Sequence, residues 1–228
     1  MTEFEAVFWD VGGVLLDLES VQSSHARFVG WLVDAHDLDA TESEAVDTWR
    51  SVVGQHFRER DGTAFRSAQE GYHKAVEAIL GEPVERDEWQ RAMRSQIRDV
   101  VGSNPGARET IERVAGTGRH QGVVSDADHD ELLWLLSHLG VREHFDAVTT
   151  SESVGRTKPD PAMFETALER SPAPPERTLM IGDRYGHDME GAKRHDIRTA
   201  AYGAEDGPAV DYRLEDLRDV LEILGIED

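Results

Sequence analysis

Two hydrophobic rhythms alternate along this chain. Residues 4–9, Phe4-Glu5-Ala6-Val7-Phe8-Trp9, form a short apolar and aromatic run that stops at Asp10-Val11-Gly12-Gly13. A run of that length closed by glycines predicts a buried strand ending in a turn. From about residue 20 to 100 the spacing becomes helical: Val21, Phe28, Val29 and Leu32; Val46, Trp49, Val53 and Phe57; Phe65, Tyr72, Val76 and Leu80; Trp89, Met93 and Ile97. Apolar positions three and four apart line one face of a helix. Breaks at Gly62 and Gly81-Glu82-Pro83 separate the segments, and no strand pattern interrupts them. About four helices in a small bundle are expected, with Phe28, Trp31, Trp49, Phe57, Phe65 and Trp89 in its core.

After Asn104-Pro105-Gly106 the pattern changes again. A helix over about 106–116 leads to the strand 121–124, which ends at Ser125. A helix over 128–139, an apolar run at 145–148 and a helix over 161–170, opened by Pro159-Asp160-Pro161, come next. The strand 178–181 ends at Gly182-Asp183; a helix over 188–195, the strand 198–202 and a helix over 214–224 finish the chain. Strands alternating with helices predict an α/β fold, a parallel sheet covered on both faces. Residues 1–17 and 101–228 would form this three-layer core, and 18–100 an α-helical insertion after the first strand.

Composition narrows the setting. The chain has 228 residues, no cysteine and a formal net charge of −22. Disulfides, thiolate metal sites and a cysteine nucleophile are thereby excluded. Nucleic acid and anionic membranes are unexpected partners, because phosphate surfaces need clustered cations. The N-terminus is acidic, without a signal-peptide run, and no stretch approaches the ~20 apolar residues of a membrane span. A soluble, cytoplasmic monomer or homodimer is expected. Lys74, Lys158 and Lys193 are the only lysines. Salt screens the self-repulsion of so acidic a surface, so a halophilic source is expected.

Ligands of open parallel sheets bind outside the carboxyl ends of the strands. Asp10, Ser125 and Asp183 stand at such ends, and Lys158 precedes the proline-started helix. Singly these are weak signals: a strand-end Asp is as often a helix cap, and a lone Lys a surface charge. Together they suit phosphoryl chemistry. Mg²⁺ takes hard oxygen ligands, which Asp10, Asp183, Asp188 and the Gly12 carbonyl can supply. A carboxylate beside Mg²⁺ can attack phosphorus. Ser125 and free turn amides, Gly13 among them, can bind phosphate oxygens, and Lys158 can neutralise the phosphoryl group.

Four stretches resemble the haloacid dehalogenase superfamily of hydrolases: Asp10-Val11-Gly12-Gly13-Val14-Leu15-Leu16-Asp17, Val123-Val124-Ser125-Asp126, Gly155 through Phe164, and Met180 through Ala192. The resemblance covers essentially the whole chain. It implies a Rossmann-like core with a helical cap, and a Mg²⁺-dependent phosphatase of a small phosphorylated metabolite. It implies Asp10 as nucleophile and metal ligand, Ser125 and Lys158 as phosphoryl binders, Asp183 as metal ligand, and Asp188 as ligand or orienter of metal-bound water. Cap closure over the site would exclude water and select the substrate. Asp17 reads as structural, at the hinge to the cap. Asp126 either orients the Ser125 loop or contacts substrate.

One departure matters. Phosphatases of this family usually carry a second Asp two residues after the nucleophile, a proton donor to the leaving group; here that residue is Gly12. Esters with good leaving groups, such as sugar 1-phosphates, acyl phosphates or aryl phosphates, are therefore expected. The alternatives are a weak or inactive metal- or partner-binding relative, and a 2-haloacid dehalogenase. Dehalogenases of the family usually have an aromatic residue at the Gly12 position and need no Mg²⁺. A phosphomutase leans on the missing acid, and a signalling receiver domain has no cap. One of His25, His56 and His73 could replace the acid, although packing is the commoner role of such residues. His187 is expected to be exposed.

Overall fold

Residues 3–227 are described by the computed structural model, and they fall into two units that exchange the chain at Asp17–Leu18 and Gly102–Ser103. The strand β1 (Ala6–Trp9) belongs to the first unit. The second, Leu18–Gly102, contains four helices: α1 (Leu18–Ala35), α2 (Glu42–Arg58), α3 (Ala68–Leu80) and α4 (Arg86–Ile97). Local signals set their ends. Thr41 and Glu44 form a reciprocal capping box at the start of α2, Ser67 caps α3, and Gly81 ends α3 at φ 74°. Phe28, Trp49 and Trp89 are buried, with Phe28 edge-on to Trp49 at 5.9 Å. Burial of each such side chain contributes about 1.5–3 kcal/mol. Trp31, Phe57 and Phe65 are only half-buried.

The histidines of this unit serve its packing. His56 Nε2 donates to the Ser67 carbonyl at 2.9 Å, and its Nδ1 lies 3.4 Å from the Lys74 ammonium. His73 Nδ1 accepts from the Trp89 indole at 2.8 Å. His25 packs against both rings of the stacked Trp49–Tyr72 pair, and burial lowers its pKa to about 4.

The first unit continues with α5 (Ala107–Ala115), β2 (His120–Ser125), α6 (His129–His138), β3 (Ala147–Thr150), the short α7 (Ser151–Val154) and α8 (Pro161–Glu169). It ends with β4 (Thr178–Gly182), α9 (Glu190–Lys193), β5 (Arg198–Tyr202), β6 (Tyr212–Leu214) and α10 (Asp219–Ile223). The strands form one parallel sheet in the order β3-β2-β1-β4-β5-β6. Alternation along β1 sends consecutive side chains to opposite faces. Phe8 packs with Met163 and Phe164 of α8 and Ala192 of α9. Trp9 donates its indole N–H to Gln121, whose amide reaches the Ile111 carbonyl of α5, both at 3.1 Å. Helices therefore cover both faces of a Rossmann-like core.

Two helix expectations need correction. The segment 214–224 is not one helix: Tyr212–Leu214 is an edge strand and α10 begins at Asp219. Asp219 accepts the backbone N–H groups of Glu215 and Asp216, and such side-chain bonds favour a turn over a continued helix. The segment 188–195 begins as a π-helical turn, Tyr185–Met189, before α9.

Candidate active site

The order of strands reverses at β1, and in open parallel sheets ligands bind outside the carboxyl ends of the strands at such a point. Asp10 follows β1, held by its N–H to the Ile181 carbonyl at 2.9 Å, and its Oδ1 accepts the Val11 N–H at 2.7 Å. Gly13 turns the chain at φ 77°, and the Asn104 side-chain amide holds the turn through the Gly13 and Val14 carbonyls at 3.0 and 2.8 Å. The turn packs against the segment after β4. A Cβ on Gly13 would lie 2.1 Å from Asp183 Oδ2, and one on Gly182 2.3 Å from Asp188 Cβ. Asp188 Oδ2 accepts the Arg184 N–H at 3.0 Å, which closes the π-helical turn. Carboxylate oxygens of Asp10, Asp183 and Asp188 consequently lie within 4.8 Å of one another.

Lys158 lies among them, 2% exposed, so it is not the solvated charge that a lone Lys usually is. Its ammonium is 3.0 Å from Asp10 Oδ2 and 2.6 Å from Asp188 Oδ1, and it donates to the Val124 carbonyl at 3.0 Å. Burial alone would lower its pKa; Asp10, Asp188 and Asp126 outweigh burial and raise it, so Lys158 is a cation. Burial raises Asp10 to about 7, with Asp188 and Asp183 pushing the same way and Lys158 opposing them. Burial and Asp188 also raise Asp183.

Three carboxylates beside one ammonium leave excess negative charge, and Asp183 Oδ1 is buried without a hydrogen-bond partner. An orphaned hard oxygen among converging carboxylates fits a divalent cation such as Mg²⁺, held by Asp10, Asp183 and Asp188. The raised pKa of Asp10 gives this a pH signature. Without metal, Asp10 holds a proton below about 7, and its ionisation costs stability as pH rises through that value. A cation must displace the proton at low pH but relieves the buried charge at high pH. Mg²⁺ should therefore raise the melting temperature more at about pH 8 than at about pH 5.5. Thermal unfolding with and without Mg²⁺ checks this; an equal or reversed shift contradicts it.

Gly13→Ala should cost at least ~1 kcal/mol in chemical denaturation, because an L residue is strained at positive φ. The atom forced to move belongs to Asp183, so Mg²⁺ affinity should fall as well. Unaltered Mg²⁺ titration by calorimetry would oppose this.

The remaining expected residues divide. Ser125 closes β2, buried, beside the end of β1. Asp126 Oδ1 accepts the Lys158 N–H at 2.8 Å, so it fastens the Lys158 loop. The Gly13 amide, expected to be free for phosphate, donates instead to the Leu16 carbonyl at 3.0 Å, because the turn folds back on itself. Gly12 is half-buried and offers no side chain. His187, expected to be exposed, is half-buried with Nδ1 3.6 Å from Asp126 Oδ2. Two supports escaped the sequence reading. One is Asn104, whose Asn-Pro-Gly context signalled only a break. The other is Tyr185, whose hydroxyl accepts the Ala209 N–H at 3.2 Å, and whose ring lies 2.6 Å from where a Cβ on Gly207 would be.

Comparison with known proteins gives consistent matches. A family model described as haloacid dehalogenase-like hydrolase matches residues 4–196. The glyceraldehyde 3-phosphate phosphatase of Methanothermobacter thermautotrophicus is 27% identical over 196 residues, covering 82% of this chain and 80% of that protein. Haloacid dehalogenase-like hydrolase domain-containing protein 3 of Mus musculus is 42% identical over 88 residues, 39% of this chain; the match spans only 35% of the mouse protein. The fold is similar to that of the putative HAD-hydrolase YfnB from Bacillus subtilis, solved bound to magnesium. That match has a TM-score of 0.75 and 20% identity, and covers 98% of this chain and 100% of that one.

Proposed function

The chain belongs to the haloacid dehalogenase-like hydrolase family, and from that premise we propose that it is a Mg²⁺-dependent phosphatase of a small phosphorylated metabolite. One observation carries the reading: three carboxylates converge within 4.8 Å, with the Lys158 ammonium 3.0 Å from Asp10. A relative named as a glyceraldehyde 3-phosphate phosphatase supports phosphoryl rather than halide chemistry.

In this proposal an Asp10 carboxylate oxygen attacks phosphorus, and the bond from phosphorus to the leaving oxygen breaks. Lys158 offsets the charge of Asp10 and of the phosphoryl oxygens, and Ser125 donates to one of them. Asp10, Asp183 and Asp188 would hold Mg²⁺, with the Gly12 carbonyl as a further ligand; when bound it would neutralise charge shared by nucleophile and phosphoryl group. Water then hydrolyses the aspartyl-phosphate. A cytoplasmic setting is part of the proposal. The acidic, cysteine-free composition favours it, and no described helix is long and apolar enough to cross a membrane.

Gly12 sets the substrate limit. A missing general acid costs roughly 10²–10⁴-fold on a poor leaving group and less on a good one. Gly12→Asp should therefore raise turnover of alkyl phosphates by about ten- to a hundredfold and leave aryl phosphates nearly unchanged. A steady-state panel of both ester classes decides it. No gain on alkyl phosphates, or an equal gain on both, would sink the idea; halide release from 2-haloacids would replace it with dehalogenation.

A further inference from the structure

Arg184 follows Asp183 on the turn after β4 and is exposed. Its guanidinium donates to His187 Nε2 at 2.9 Å. An accepting Nε2 leaves the ring proton on Nδ1, which is buried without a hydrogen-bond partner and faces Asp126 Oδ2 at 3.6 Å. The other Asp126 oxygen is taken by the Lys158 N–H. A chain of side chains thus runs from the loop after β2 to the loop after β4. Those strands flank β1, so the chain crosses the end of the strand that leads to Asp10.

Arg184 is unlike several other arginines of this protein. Arg177 pairs with Glu5, Arg198 with Asp211 and Arg218 with Asp216. Arg184 rests on the His187 imidazole, and no carboxylate forms an ion pair with it among the described residues. In a chain of net charge −22, a cation held at the site yet unpaired is available to an anion from outside. Gly12 supplies the second observation, because no side chain there can protonate a departing oxygen. A leaving group that departs as a stable anion and meets a cation answers both.

We propose that the substrate is an anhydride of phosphate, a diphosphate or an acyl phosphate, whose anionic leaving group is received by Arg184. His187 is the positioning residue that holds the guanidinium. This rests on Asp10 as the nucleophile. An Asp10 oxygen bonds to phosphorus, the bridging P–O bond breaks, and its electron pair leaves with the phosphate or carboxylate, which needs no proton. Water then gives its hydroxide to phosphorus and its proton to solvent, restoring the Asp10 carboxylate.

The test compares wild type, Arg184→Gln and Arg184→Lys with Mg²⁺ on pyrophosphate, acetyl phosphate and an aryl phosphate. Wild type should prefer at least one anhydride. Arg184→Gln should lower kcat/KM on it by at least about tenfold and on the aryl ester by less than about threefold, with partial recovery in Arg184→Lys. His187→Ala should repeat the selective loss, and His187→Gln, which keeps an acceptor for Arg184, should restore it. Calorimetry adds a readout independent of turnover: Arg184→Gln should bind methylene diphosphonate about tenfold more weakly and inorganic phosphate about equally. Loss confined to pyrophosphate selects the diphosphate, and loss confined to acetyl phosphate the acyl phosphate. Equal loss on all three, no loss, or a wild-type preference for the aryl ester overturns the inference. Turnover that survives Asp10→Asn would instead overturn the phosphatase reading beneath it.

Discussion

Asp10→Asn is expected to lower turnover of an aryl phosphate by at least ~10³-fold, because an amide cannot form the acyl-phosphate bond. The same substitution should stabilise the metal-free protein. Folding raises the Asp10 pKa from 3.8 to about 7, so the fold penalises its ionised form. The penalty is absent below about pH 4, grows as pH rises through the interval, and is complete above about 7. A neutral amide removes it. The melting temperature of the metal-free variant should therefore exceed that of wild type at about pH 8 and match it near pH 4. Loss of turnover without this gain would leave Asp10 catalytic but its burial misread. Equal activity in variant and wild type would favour a non-catalytic, metal-binding descendant of the family.

Lys158→Met should have the opposite effect on stability. It removes the ammonium that touches Asp10 and Asp188 and leaves buried carboxylates uncompensated. Breaking one partner out of a buried ion pair typically costs about 3–5 kcal/mol. A group whose pKa rises on folding lends stability below its unfolded value, so the loss should be present throughout the neutral range. Protonation of Asp10 should shrink it as pH falls below about 7. Mg²⁺ should restore more stability to this variant than to wild type, since the cation supplies the missing positive charge. Urea denaturation with and without Mg²⁺ reads both effects. A loss below about 1 kcal/mol would mean that the carboxylates do not depend on Lys158.

The residues that converge were legible because their signals are local. Asp10 and Asp183 each follow an apolar run at a strand end with glycines nearby that mark a turn; that Gly13 meets Asp183 and Gly182 meets Asp188 shows only in the structure. The parallel sheet was legible for the same reason, since strand and helix periods alternate. What escaped depends on long-range contact. Asn104 reaches the Gly13 and Val14 carbonyls from some 90 residues away in sequence. Tyr185 is seated against Gly207, and His187 turns inward toward Asp126 only because β2 and β4 flank β1. The misread end of the chain has a local cause that apolar spacing conceals: Asp216 and Asp219 capture backbone and side-chain donors around 215–218 and delay the last helix.

The central claim is that Asp10 carries the phosphoryl group. Acid quenching during turnover of a radiolabelled phosphate substrate with Mg²⁺, followed by peptide mapping, tests it most directly. Label on the peptide containing Asp10, absent in Asp10→Asn and lost on treatment with hydroxylamine, is the expected result. Turnover with no labelled protein under single-turnover quench, or label on another side chain, would contradict it.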